Sequence, residues 1–119
     1  MTSHSPAALA AFDIAGIVEE RRAAGEPWLE FFRVPALSLG LYVLAAGSED
    51  LQSPHGQDEI YYVVSGKATL WVNGEETPAT PGAILYVAAE ADHKFHSIEE
   101  ELTLLVFFAP AYERLADEA

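Results

Sequence analysis

An antiparallel all-β sandwich or barrel with one short N-terminal helix is the architecture this sequence predicts. Three observations carry that expectation. Beyond Pro27 the chain divides into short segments rich in aromatic and β-branched residues, the breaks between them carry turn chemistry, and no helical pattern alternates with the strands. A parallel α/β fold is thereby disfavoured.

The helix comes first. Ile14, Ile17 and Val18 keep helical spacing, Asp13 can cap the start, and Gly25 followed by Pro27 supplies a stop. Strands follow at Trp28–Val34, Leu37–Ala46, Ile60–Val64, Ala68–Val72, Ala83–Val87 and Leu102–Phe108. The connections are Gly47-Ser48-Glu49-Asp50, Ser65-Gly66-Lys67, Asn73-Gly74 and Thr80-Pro81-Gly82. Asn73-Gly74 reads as a tight two-residue hairpin, because both positions tolerate positive φ. Glu99-Glu100-Glu101 reads as a solvated turn. Leu102–Phe108 barely alternates, so both its faces should be covered, one by the barrel interior and the other by a second subunit or by the N-terminal segment. The expected layout is a helical N-terminal segment over residues 1–27, a barrel over 28–110 and a tail over 111–119.

The 119 residues are 50% hydrophobic and 21% charged, enough for one core. There is no cysteine, which excludes disulfides, thiolate metal sites and a cysteine nucleophile, and agrees with a reducing cytoplasm. Six basic against 19 acidic residues give a net charge of −13. A field of that sign repels phosphate backbones and anionic lipid, so neither nucleic acid nor a membrane surface is an expected partner. No signal-peptide core and no run near the ~20 apolar residues of a spanning helix is present. A small molecule is the expected ligand, a homodimer the expected assembly and the cytoplasm the expected location.

Chemistry is confined to few positions. There are four histidines, of which His4 lies in the terminus, His55 in Ser53-Pro54-His55-Gly56-Gln57-Asp58-Glu59, and His93 and His96 in Asp92-His93-Lys94-Phe95-His96. In extended chain His55, Gln57 and Glu59 share one face, so an imidazole and a carboxylate converge. With His93 on a facing strand they would form a two-His-one-carboxylate set with open positions. His96, three residues on, falls on the opposite face unless a bulge intervenes, which would make it a ligand-contacting or supporting residue. Asp58 faces away from Glu59. Tyr61 and Val63 follow Glu59 on its face and Phe95 follows His93, giving an apolar, aromatic pocket wall together with Leu70 or Trp71. Parity places no basic residue near the site, which favours neutral or weakly acidic ligands.

The glycine spacing resembles the cupin superfamily. Gly47 opens the first signature of that family, Ser53 holds its first His position, His55 the second, Glu59 the Glu and Gly66 the closing Gly. An eroded second signature runs from Gly82 to His93, with Ala88 and Glu90 at its Pro and inner Gly positions and Ser97 at its terminal Asn. The resemblance implies a double-stranded β-helix, or jelly-roll barrel, with a site in its mouth. It implies a divalent metal, Fe, Mn, Ni, Cu, Co or Zn, held here by His55, Glu59 and His93, one imidazole being lost at Ser53. Gln57 or Gln52 could compensate with an amide oxygen. Ser53, Gln57, Tyr61, Phe95 and His96 are the candidate supporting or pocket residues. The activity so implied is oxidation, isomerisation or lyase chemistry on a small organic molecule. The alternatives are a barrel that captures a ligand or metal without turnover, and a structural dimer whose metal site has lapsed.

Overall fold

A computed structural model describes residues 8–50 and 54–113. Ser53 and Gln52, together with His4, lie outside them. Helix α1 (Ile14–Ala24) is capped by Asp13, whose Oδ1 accepts the Gly16 N–H at 2.8 Å, and it ends where Gly25 turns left-handed at φ 79°. Six strands follow: β1 (Trp28–Val34), β2 (Leu37–Leu44), β3 (Asp58–Val72), β4 (Glu75–Ala79), β5 (Ile84–Val87) and β6 (His93–Ala109). All pairings are antiparallel, in the order β1-β2-β6-β3-β4, with β5 also on β3.

Two strands are far longer than their sequence suggests. Ser65-Gly66-Lys67 is a bend inside β3 rather than a turn, and Glu99-Glu100-Glu101 lies within β6 rather than in a solvated loop. The physical reason is a series of bulges. The β3–β6 register slips between Val63 and Ser65, between Ser65 and Lys67, and between Lys67 and Thr69. Gly66 makes this possible: its φ is 101°, and a Cβ there would meet the Glu101 carbonyl oxygen at 2.2 Å. Bent in this way, each strand serves both halves of the barrel. β4 went unforeseen because Glu-Glu-Thr-Pro-Ala is polar; it forms because Asn73 (φ 47°) and Gly74 (φ 92°) make the predicted hairpin and return the chain onto β3. As an edge strand it tolerates Pro78.

Alternation along β3 and β6 builds the core. Tyr61, Val63, Ala68 and Leu70 from β3 meet Phe95, Ile98, Leu102, Leu104, Val106 and Phe108 from β6. Inward parity in β6 changes from odd to even between Phe95 and Ile98, where Ser97 takes a left-handed φ of 52°. Trp28 lies flat on Gly40, where any Cβ would strike its ring, and it meets Tyr42 and Phe108 edge-on.

The outer face is covered only in part. Helix α1 packs on β1 and β2, burying Ile17, and Leu41 on that outer face is completely buried. Farther along, Ile60, Tyr62, Phe107, Ile84 and Tyr86 stay exposed, the last two at 72% and 61%. The registers Ile60↔Phe107, Ile60↔Tyr86 and Tyr62↔Ile84 make them one contiguous apolar patch. Among the described residues, then, nothing fully covers the face of β6 carrying Phe107.

Candidate metal centre

His55 lies in the loop leading into β3, Glu59 in the first turn of that strand's pleat, and His93 at the start of β6. Alternation sends His55, Gln57, Glu59 and Tyr61 inward, all buried, while Asp58 and Ile60 point out. The facing strand delivers His93 and Phe95 inward in the same way. Each residue is anchored by its neighbours. The His55 carbonyl accepts the Glu90 N–H at 2.8 Å, and Asp58 Oδ1 accepts the Ala89 N–H at 2.9 Å and the Tyr86 hydroxyl at 3.1 Å. The hairpin residue Asn73 exchanges two bonds with the Asp92 backbone, which sets the position of His93.

His55 Nε2 and His93 Nε2 both stand 3.3 Å from Glu59 Oε1. That is long for a charge-assisted hydrogen bond. All three atoms are buried, and among the described residues none has a well-directed hydrogen-bond partner. His93 Nδ1 lies 2.9 Å from the Ala91 carbonyl, to which only an N–H can donate, so the neutral ring presents the Nε2 lone pair to Glu59. One ligand atom from each of the three residues lies within 4.8 Å of the others, and the group could hold a metal ion. Two imidazole nitrogens and a carboxylate oxygen, buried and lacking a donor, are the set that borderline divalent ions take up.

Electrostatics favour the charged carboxylate. Burial pushes the Glu59 carboxyl up, but His55, His93 and Tyr61 beside it outweigh burial and hold it below its ordinary value. For His93, burial works against the charged ring, yet Glu59, the Ala91 carbonyl and Asp50 raise its pKa overall. Both shifts favour a protonated ring beside an ionised carboxylate relative to the free groups, and a metal would compete with that proton.

The structure brings His55, Gln57, Glu59, Tyr61, His93 and Phe95 to the inner face and leaves His96 outside it. His96 Nε2 meets Glu76 of β4 at 2.5 Å and its Nδ1 meets Ser97 Oγ at 3.0 Å. The bulge that changes parity comes at Ser97, one residue too late to turn His96 inward. On the inner wall Leu70 is buried, whereas Trp71 lies on the other face under the Lys94 ammonium.

Several site residues were missed. Asp50 is buried and joins two walls, accepting the Tyr42 hydroxyl at 3.0 Å and the Phe95 N–H at 2.9 Å. Burial first, then Asp50, pushes the Tyr42 phenol far up, so it stays a neutral donor. Alternation along β2 could have turned Tyr42 inward, but Asp50 sits in an aperiodic turn. Tyr112, past the end of β6, stacks on Phe108 with centroids 4.7 Å apart and meets His55 edge-on at 5.7 Å. Arg33 is a cation that parity does not bring toward Gln57. It lines a cleft of about 560 Å³ with Val34, Pro35, Gln57, Pro110, Ala111 and Glu113, although none of the three cluster residues lines that cleft. Parity missed it because β1 is far from the site in sequence and reaches it only through the pairing of β2 with β6.

A small antiparallel barrel with a buried two-His-one-carboxylate cluster inside it defines the class. Residues 40–109 match the cupin domain, and the chain belongs to the cupin family, as a small cupin-domain protein with a jelly-roll fold. It is 46% identical over 100 residues to an uncharacterised protein, SCO3923, of Streptomyces coelicolor, covering 84% of this chain and 95% of that one. Its fold is similar to that of an RmlC-like cupin from Shewanella frigidimarina, with 23% identity, a TM-score of 0.64, and coverage of 72% of this chain and 77% of the other. A salicylate 1,2-dioxygenase from Pseudoaminobacter salicylatoxidans superposes with a TM-score of 0.65 at 19% identity, over 80% of this chain but 31% of the dioxygenase. Among the described residues no helix is long and apolar enough to cross a membrane.

Proposed function

We propose that this chain is a small metal-dependent cupin acting on a small organic molecule, with a divalent ion held by His55, Glu59 and His93. One observation carries the reading: three buried ligand atoms crowd together, and among the described residues none completes a hydrogen bond of its own. The ion would serve as a Lewis acid or as a site for dioxygen, which suits oxidation, isomerisation or lyase chemistry. The chain's own residues do the rest. Glu59 stays ionised, with Tyr61 donating to it. The Ala91 carbonyl fixes the tautomer of His93. Tyr61, Phe95, Phe108 and Trp28 exclude water from the interior, and the cleft beside Gln57 and Arg33 offers an amide and a guanidinium to polar groups of the ligand.

A second reading, capture without turnover, is favoured by one feature. Among the described residues the one buried carboxylate outside the cluster, Asp50, is already engaged by Tyr42 and Phe95 and is thus poorly placed as a base. The test is elemental analysis of protein purified without chelator or affinity tag, followed by substrate screens of the Fe(II) and Mn(II) forms. Metal near one per chain, with turnover abolished in His55→Ala, supports the enzyme. Metal without any dioxygen uptake or carbonyl conversion supports capture, and protein that takes up no divalent ion sinks both. Sedimentation of the same preparation would read the homodimer we propose through the Ile84–Tyr86 patch, in a cytoplasmic protein.

A further inference from the structure

The two imidazoles of the cluster are held in different ways. His93 is oriented by a hydrogen bond from Nδ1 to the Ala91 carbonyl at 2.9 Å. For His55 no such bond exists among the described residues: both ring nitrogens are buried and neither has a hydrogen-bond partner. What surrounds the His55 ring instead is other rings. Phe108 meets it at 5.1 Å and 81°, Tyr112 at 5.7 Å and 89°, and His93 at 5.3 Å and 77°. Edge-to-face contacts on several sides leave an imidazole little freedom to rotate.

Tyr112 belongs to no strand, yet its backbone is fastened on both sides. Its N–H donates to Oγ of the fully buried Ser38 at 2.9 Å, and its carbonyl accepts from Arg33 Nη2. Arg33 is in turn gripped by both oxygens of Glu30, at 3.1 and 2.9 Å. One residue earlier, the Ala111 N–H donates to the Pro35 carbonyl. The segment after the last strand is therefore tied to the β1–β2 hairpin at three points, and the ring it delivers lands on Phe108 and His55.

We infer that Tyr112 is a positioning residue for the metal centre: clamped on Phe108 and latched by Arg33, its ring aims the His55 imidazole, which no hydrogen bond from the described residues orients. This rests on the metal reading above. A packing contact replaces the outer hydrogen bond that usually fixes a ligating histidine.

The test uses Co(II) as the probe on wild type, Tyr112→Phe, Tyr112→Leu and Arg33→Met, with melting temperatures of the metal-free forms to check folding. Tyr112→Leu is expected to weaken Co(II) binding about tenfold or more and to shift the visible ligand-field bands, while Tyr112→Phe stays within about twofold. Arg33→Met cuts the latch and leaves the ring in place; it should fall between the two, and it carries the test should Tyr112→Leu not fold. Wild-type affinity and bands in Tyr112→Leu, or an equal loss in Tyr112→Phe, would overturn the inference. A second readout needs no metal. In NMR spectra of chelator-treated protein, the nuclear Overhauser contacts between the His55 ring protons and the Phe108 ring should be lost in Tyr112→Leu, as the imidazole turns, and kept in Tyr112→Phe. If wild type binds no Co(II), the metal reading falls, while the spectra still decide whether Tyr112 orients His55.

Discussion

The His93 corner and the His55 corner of the cluster reach the same carboxylate oxygen at the same 3.3 Å by opposite means. His93 sits on a strand, its tautomer set by a backbone carbonyl and its main chain pinned through Asp92 to the Asn73 hairpin. His55 sits on a loop, its backbone pinned by Glu90 and its ring held by aromatic packing. A directional bond fixes one ring from a neighbour two residues away. Packing fixes the other from the far end of the chain. The first corner is local and is written in a short stretch of sequence, whereas the second depends on the whole fold being closed.

Both corners hang on one bend, and breaking it should have the largest effect. Gly66 lets β3 and β6 fold over each other, and in Gly66→Ala the new methyl would overlap the Glu101 carbonyl at a left-handed φ. With no flexible side chain to give way, backbone must shift. A cost of about 3 kcal/mol or more is expected, lowering the melting temperature by about 10 °C or more in this small domain. A melting curve close to wild type would mean that the two corners do not share this frame.

Glu59→Gln comes next and should damage the two corners equally, because Glu59 touches both. The amide keeps the shape and removes the charge that offsets a divalent ion. Affinity for Co(II) or Mn(II), read by titration, should fall by more than the roughly 10- to 100-fold expected when an outer partner is lost. A variant that still binds with near wild-type affinity would show that the imidazoles suffice, and that Glu59 serves only to pair with His93.

How much of this was legible follows the same division. The β1 strand, the helix caps and the Asn73-Gly74 hairpin were readable because each is decided by neighbours in sequence. So was the inward parity of Glu59, Tyr61 and Phe95, since period-2 alternation needs only the strand. What failed involved a partner strand. Ser65-Gly66-Lys67 looks like a turn in isolation, and its role as a bulge appears only against Glu101 and Leu102. The eroded signature positions have a similar explanation. Glu90 (φ 68°) and Ser97 (φ 52°) adopt the left-handed backbone that Gly and Asn enter readily, so the departures from the family pattern kept the conformation and changed only its ease. Asp50 and Tyr112 lie outside the strands and carry no periodic signal, and Arg33 sits on a strand remote in sequence; they come together through pairings of β1 with β2 and β2 with β6 and through the path of the chain beyond β6.

The finest test separates the corners by proton linkage. The folded-state pKa of His93 is raised above 6.5, so its contribution to stability is complete below that value and is lost as pH rises through the raised pKa. That of Glu59 is lowered below 4.5, so its contribution is complete above that value and is lost as pH falls through the lowered pKa. Chelator-treated protein should therefore gain most from this pair between pH 4.5 and 6.5. Added metal should act in the opposite sense on the alkaline side. It binds the deprotonated ring, so the rise in melting temperature it produces should grow as pH climbs through the His93 pKa. Replacing His93 by Gln should flatten the alkaline limb of the metal-free profile. If the limb survives that substitution, the proton displaced by the metal does not reside on His93, and the hydrogen-bonded corner is not the one that titrates.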